Sequence, residues 1–291
     1  MSTTSYTNSS LLLRDGARLH YRDAGRGPAL ILIHGWGASG AFFERQMALA
    51  ARGFRLIVPD QRGHGASRDA DHALTIALLA ADLRELIAHL QLSGFSLLGW
   101  SMGAMVAWEY LRGHGMTGLR TLSVIDMTAK IVTDADWAHG LSGGYPAALV
   151  AATADTVRSN WPRLAQVSAA KLFARGADPD PALLRQFTAL MRANAAEGLA
   201  QLWTDMARQD YRAFLPELGE RCQYIYGKES RLYKEETFIH LARMTGTTRL
   251  AGLAGAGHIP QWEQPEAFAA ALCGHLADSR AATDPGTQTR P

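Results

Sequence analysis

At 291 residues, 47% hydrophobic and 19% charged, the chain carries enough apolar surface for a large core and has the wrong composition for disorder. A formal net charge of +2, with scattered arginines and no basic run, excludes a nucleic-acid footprint. Two cysteines, Cys222 and Cys273, are too few for a disulfide framework and lack metal-ligand spacing, so the expectation is two reduced core thiols, no metal and no cofactor.

The first ten residues are polar, with neither a basic nor an apolar targeting segment, and no apolar run reaches the ~18 residues of a membrane span. The expectation is a cytoplasmic protein with a small-molecule substrate and no membrane partner; oligomeric state is left open. Residues 11–14 and 18–22 read as a hairpin around Asp15-Gly16. The unbroken apolar run Ala29 to Ile33 reads as a strand buried on both faces of a parallel sheet, and it ends in His34-Gly35-Trp36-Gly37. An amphipathic helix is expected over 42–51, then a strand over 54–60 opening into the glycine-punctuated loop Gln61 to Ser67. Residues 75–92 have the apolar spacing of a helix.

Leu97-Leu98-Gly99-Trp100-Ser101-Met102-Gly103 is the central stretch. An apolar strand over 95–100 turns into a helix at one serine between two glycines. Such a Gly-x-Ser-x-Gly turn strains the serine and lifts its hydroxyl above the sheet edge. That hydroxyl is a weak nucleophile until a base takes its proton, so a histidine, an orienting acid and oxyanion donors are required elsewhere. A strand over 119–125 ends at Asp126.

The alternation of strand and helix then stops. Residues 128–216 are helical in pattern, with helices expected over 145–160, 162–175, 181–194 and 198–209, and this insertion is a candidate cap over the site. The alternation resumes with a strand over 222–227, a helix over 234–244, a strand over 248–253 leading to Gly255-Ala256-Gly257-His258, and a closing helix over 265–277. The domain expectation is a core of 1–127 and 217–278, a cap of 128–216 and a disordered tail of 279–291. Sites in such sheets lie at the carboxyl ends of the strands, where His34, Ser101 and Asp126 fall, with His258 just past one.

On His34-Gly35-Trp36, Asp60-Gln61-Arg62-Gly63-His64-Gly65, the Gly99-to-Gly103 turn and Gly255-Ala256-Gly257-His258, the chain resembles the α/β-hydrolase superfamily. The resemblance implies an α/β fold: a mostly parallel eight-stranded sheet with helices on both faces and a helical cap between strands six and seven. It also implies Ser101 as nucleophile, His258 as general base, and the backbone N–H groups of Trp36 and Met102 as oxyanion hole. In most of the superfamily the acid follows strand seven, three residues after a glycine; that position here is Ser230 in Gly227-Lys228-Glu229-Ser230. Asp126, at the end of strand six, is the preferred acid and Glu229 the alternative. His34, Trp100, Trp137 and Trp161 are candidates for the substrate pocket, although His34 also suits a loop brace.

The reaction so implied is hydrolysis of a carboxylic ester or lactone of a small to medium hydrophobic or aromatic substrate through an acyl-enzyme. The alternative is a cofactor-independent dioxygenase of N-heteroaromatic rings. That reading uses a His258–Asp126 dyad, and the resemblance rests on the combination of Trp36, Ser101, Asp126 and His258 and on the segment Glu229 to Glu235, which lacks the usual acid.

Overall fold

The computed structural model describes residues 5–68 and 73–283. Its elements, in chain order, are strands β1 (Thr7–Leu12), β2 (Arg18–Ala24), β3 (Ala29–Ile33) and β4 (Arg55–Pro59), helix α1 (Ile76–His89), β5 (Phe95–Trp100), α2 (Met102–His114) and β6 (Leu119–Ile125). Helices α3 (Val150–Lys171), α4 (Pro181–Arg192) and α5 (Ala196–Met206) follow, then β7 (Cys222–Gly227), α6 (Glu235–Thr245), β8 (Leu250–Leu253), α7 (Pro260–Glu263) and α8 (Pro265–Thr283). A 3-10 segment, Gly40–Arg52, connects β3 to β4.

The eight strands form one sheet in the order β1-β2-β4-β3-β5-β6-β7-β8. β1 and β2 pair antiparallel, as do β2 and β4; every pairing from β4 to β8 is parallel. The unbroken apolar run of β3 has its physical reason here. Ile31 and Ile33 pack into a core with α1, α2 and α6, while Leu30 and Leu32 pack into a second core with the Gly40–Arg52 segment, α3 and α8. Strand residues alternate between faces, so a strand covered on both sides has no polar face to show.

Several details differ from the sequence reading, among them that the helix expected over 42–51 is the 3-10 segment Gly40–Arg52. The first strand begins at Thr7 rather than Leu11, because its polar residues pair with β2 at the sheet edge, where only backbone bonding is needed. The expected helices over 145–160 and 162–175 are one helix, α3, kinked at Asn160 (φ −145°, ψ 35°) just before Pro162. The closing helix runs to Thr283, so 279–283 are helical rather than tail; residues 284–291 of that expectation lie outside the described residues. Both cysteines are free, and burial pushes the Cys222 thiol up to about 12.

The loop after β4 is locked by a buried cation. Arg62 donates through Nε and Nη2 to both carboxylate oxygens of Asp82 on α1 (2.8 and 2.7 Å), and through Nη1 to Asp15 in the hairpin (2.6 Å). Removing one partner of a buried pair strands the other charge in low dielectric, so Arg62→Ala is expected to cost about 3–5 kcal/mol. Urea denaturation of the two proteins checks this; a loss below ~1 kcal/mol contradicts it.

Candidate active site

The turn between β5 and α2 is as tight as its glycines imply. Ser101 has φ 53° and ψ −124°, a strained conformation for a residue with a side chain. A Cβ on Gly103 would lie 2.0 Å from the Ile33 carbonyl oxygen, and one on Gly99 would lie 2.6 Å from the Ala104 backbone. Only glycine lets α2 start this close to β3. Met102 is the first residue of α2, so its N–H lies among those with no acceptor inside the helix, at the positive end of the helix dipole.

Asp126 sits one strand over. It follows β6, the parallel neighbour of β5, and like Ser101 has a positive φ, 43°. Its N–H donates to Ile225 on β7 (3.0 Å), which fixes the backbone, and its side chain is fully buried. His258 Nδ1–H donates to Asp126 Oδ2 at 2.6 Å. Ser230, the residue at the usual acid position, donates its hydroxyl to the same oxygen at 2.8 Å. A carboxylate that accepts two hydrogen bonds is held in the orientation that presents it to the imidazole. The His258 main chain is itself tied down: its carbonyl accepts from Trp100 Nε1 (2.7 Å). The adjacent Gly257 N–H donates to Glu263 (2.7 Å).

Glu229, the alternative acid, is elsewhere engaged. Its carboxylate accepts from the N–H groups of Gly255 (2.8 Å) and Ala256 (3.2 Å), bracing the loop that leads to His258 from below.

Ser101, His258 and Trp36 open onto one cavity of about 580 Å³. Its apolar wall includes Ile131, Leu141, Leu172, Met191, Trp203 and Met206, most of them from the segment between β6 and β7. The four pocket candidates named from sequence do not line it. His34, Trp100, Trp137 and Trp161 are at most 3% exposed. Trp161 packs edge-on against Trp36 (5.1 Å between centroids) and donates to the Met191 carbonyl; Trp137 donates to Lys130. Trp203 and Tyr145 line it instead, joined by an indole N–H to phenol bond of 2.7 Å. Both lay in the helical segment, and no motif distinguished them there from the buried tryptophans.

His34 braces the loop, and with it His64. Each imidazole donates from Nδ1 to a carbonyl, of Gly35 (2.9 Å) and Arg62 (3.1 Å) respectively. Each accepts at Nε2 from a backbone N–H, of Gln61 (2.9 Å) and Gly37 (3.2 Å). These bonds tie the loop carrying Trp36 to the loop after β4. They require neutral rings. Burial lowers both pKa values, that of His64 to about 3 with the neighbouring His34 adding to the fall.

The fold and this arrangement define a class: an α/β sheet enzyme with serine, histidine and carboxylate gathered at strand ends. The chain belongs to the alpha/beta hydrolase family, whose model matches residues 30–271. It is 26% identical over 242 residues to a pimeloyl-[acyl-carrier protein] methyl ester esterase of Xanthomonas axonopodis pv. citri, covering 83% of this chain and 92% of that protein. It is 32% identical over 124 residues to the non-heme chloroperoxidase CPO-A1 of Kitasatospora aureofaciens, covering 42% and 45%. Its fold matches that of an esterase from Exiguobacterium antarcticum with a TM-score of 0.86 at 24% identity, covering 93% of this chain and all (100%) of that one. Among the described residues no helix is long and apolar enough to cross a membrane.

The neutral histidine pair sets an acid limit. Their folded pKa values lie below the ordinary 6.5, so the unfolded chain binds more protons as pH falls. The His64 contribution is complete above pH 6.5 and is lost as pH drops toward 3, at about 1.4 kcal/mol per pH unit, and that of His34 is lost in the same direction. Urea midpoints between pH 7 and 4.5 are expected to fall, and less steeply in His64→Gln; a flat profile in the wild type contradicts this.

Proposed function

We propose that the protein hydrolyses a carboxylic ester or lactone through an acyl-enzyme on Ser101. The observation that carries this is the placement of Ser101, at a strained strand-to-helix turn, in one cavity with a histidine whose Nδ1 is held by a buried carboxylate. The similarity to a methyl ester esterase over most of both chains supports the ester part of the reading.

Ser101 Oγ attacks the carbonyl carbon and its proton passes to His258 Nε2. Asp126 keeps the Nδ1–H tautomer in place and stabilises the imidazolium. The Trp36 and Met102 N–H groups take the oxyanion, a contribution of ~3 kcal/mol per donor. Collapse expels the alcohol, protonated by His258. Water then attacks the acyl-enzyme, giving its proton to His258, and the acid leaves with Ser101 restored. The segment between β6 and β7, which holds α3–α5, acts as the cap: it supplies most of the apolar wall, which suits a medium-sized hydrophobic acyl or alcohol group.

Loss of the acid by amide replacement leaves the imidazole in the wrong tautomer, so Asp126→Asn is expected to lower kcat toward p-nitrophenyl acetate by about 10⁴. Glu229→Gln, whose amide oxygen still accepts from Gly255, is expected to change it by less than about tenfold. The reverse ranking overturns the assignment of the acid. Oxygen uptake with a hydroxy-quinolone that survives Ser101→Ala would replace the hydrolase reading by dioxygenation through the His258–Asp126 pair.

A further inference from the structure

The cavity wall contributed by α3 and the turn after it changes character along its length. Leu164, Ser168 and Lys171 recur at intervals of four and three, so they share one face of α3, and Leu172 and Arg175 follow in the turn after it; all five line the cavity. That face runs from apolar, through a hydroxyl, to two cations. Arg231, from the loop after β7, joins them on the same cavity. Basic residues at a helix C-terminus are favoured by the dipole, which accounts for Lys171 in the last turn of α3 as a local pattern. It does not account for Arg231, which comes from the sheet side.

Among the described residues none of the three charges lies within 4.0 Å of a carboxylate oxygen. Arg231 is held by weak bonds from Nε to the Phe173 carbonyl (3.3 Å) and from Nη2 to that of Ala174 (3.4 Å). Arg175 reaches the Ser230 carbonyl through Nη2 at 3.5 Å. Two acids of this region are committed to main-chain donors: Glu229 to Gly255 and Ala256, and Glu263 to Ala174 and Gly257. The guanidinium groups are thus oriented by carbonyls and retain N–H donors for a guest.

We propose that Lys171, Arg175 and Arg231 form an anion subsite, and that the preferred substrate carries a carboxylate or phosphate beyond an apolar spacer from the scissile carbonyl. This rests on the ester-hydrolase reading of the same cavity. The apolar wall takes the spacer, and the cations take the charged end by charge-assisted hydrogen bonds, for which arginine is the fitting donor.

The test compares methyl hexanoate, monomethyl adipate and methyl 6-phosphooxyhexanoate, which share chain length and differ in terminal charge. The wild-type protein is expected to show a kcat/KM at least about tenfold higher for one of the anionic esters, and whichever is higher identifies the group as carboxylate or phosphate. The double variant Lys171→Gln/Arg175→Gln, which leaves the Arg231 bonds to Phe173 and Ala174 intact, is expected to lower that ratio about tenfold; Arg231→Gln is expected to lower it as well. A wild-type ratio near one, or a ratio unchanged in both variants, overturns the subsite. If no ester is hydrolysed, calorimetric titration of Ser101→Ala separates the two claims. Tighter binding of an anionic ester then keeps the subsite and overturns the esterase reading, and equal binding overturns both.

Discussion

Two neighbouring strands of this sheet each end in a non-glycine residue with positive φ, Ser101 after β5 and Asp126 after β6. That backbone constraint organises the site. A chain leaving a parallel strand in an ordinary conformation carries its next side chain on along the strand direction. A left-handed turn redirects it at once, and two such turns on adjacent strands gather their side chains above the same edge. The strain of order 1–3 kcal/mol at each is borne by the surroundings. At Ser101 these are the close packing of Gly99 and Gly103 and the bonds from Ser101 N–H to Ile125 and from Ala104 N–H to Ser101. At Asp126 they are the bond to Ile225 and the two hydrogen bonds accepted by its carboxylate.

The histidine is held differently, by a loop rather than a strand end. Trp100, the residue before Ser101, donates its indole N–H to the His258 carbonyl, so the serine turn and the histidine loop share an anchor. Glu263 bridges the same loop to Ala174, at the end of the segment that forms α3. Asn194, beyond α4, donates to the Gly37 carbonyl and accepts from Gly65 N–H, so the inserted helices also grip the two loops braced by the His34–His64 pair. Through these bonds the α3–α5 segment and the sheet position one cavity together.

The sheet was legible in the sequence wherever residues bury both faces: β5, β6 and β7 begin and end at the residues their apolar runs suggest. The elbow was legible too, because its glycine–serine pattern and the strand and helix around it are local in sequence, although the contact that requires Gly103, with the Ile33 carbonyl, is not. The resemblance left the partner of His258 between two acids, Asp126 and Glu229. The bond from His258 to Asp126 and the capture of Glu229 by two backbone N–H groups are long-range events that local pattern does not carry. The cavity lining was misread for a similar reason. An amphipathic helix announces that it has an apolar face, but which tryptophan meets a void and which meets another side chain depends on how the helices pack. So Trp161 lies behind Trp36, while Trp203 faces the cavity. The start of the first strand was misplaced because an edge strand is specified by backbone pairing more than by side chains.

The central claim is that Ser101 is activated by His258. Intact-mass and peptide mass spectrometry after treatment with a fluorophosphonate, on the wild type and on His258→Ala, tests it most directly. The account predicts a single adduct on Ser101 in the wild type and none, on the same time scale, in the folded variant. An unlabelled, folded wild-type protein, or equal labelling of both, would contradict it.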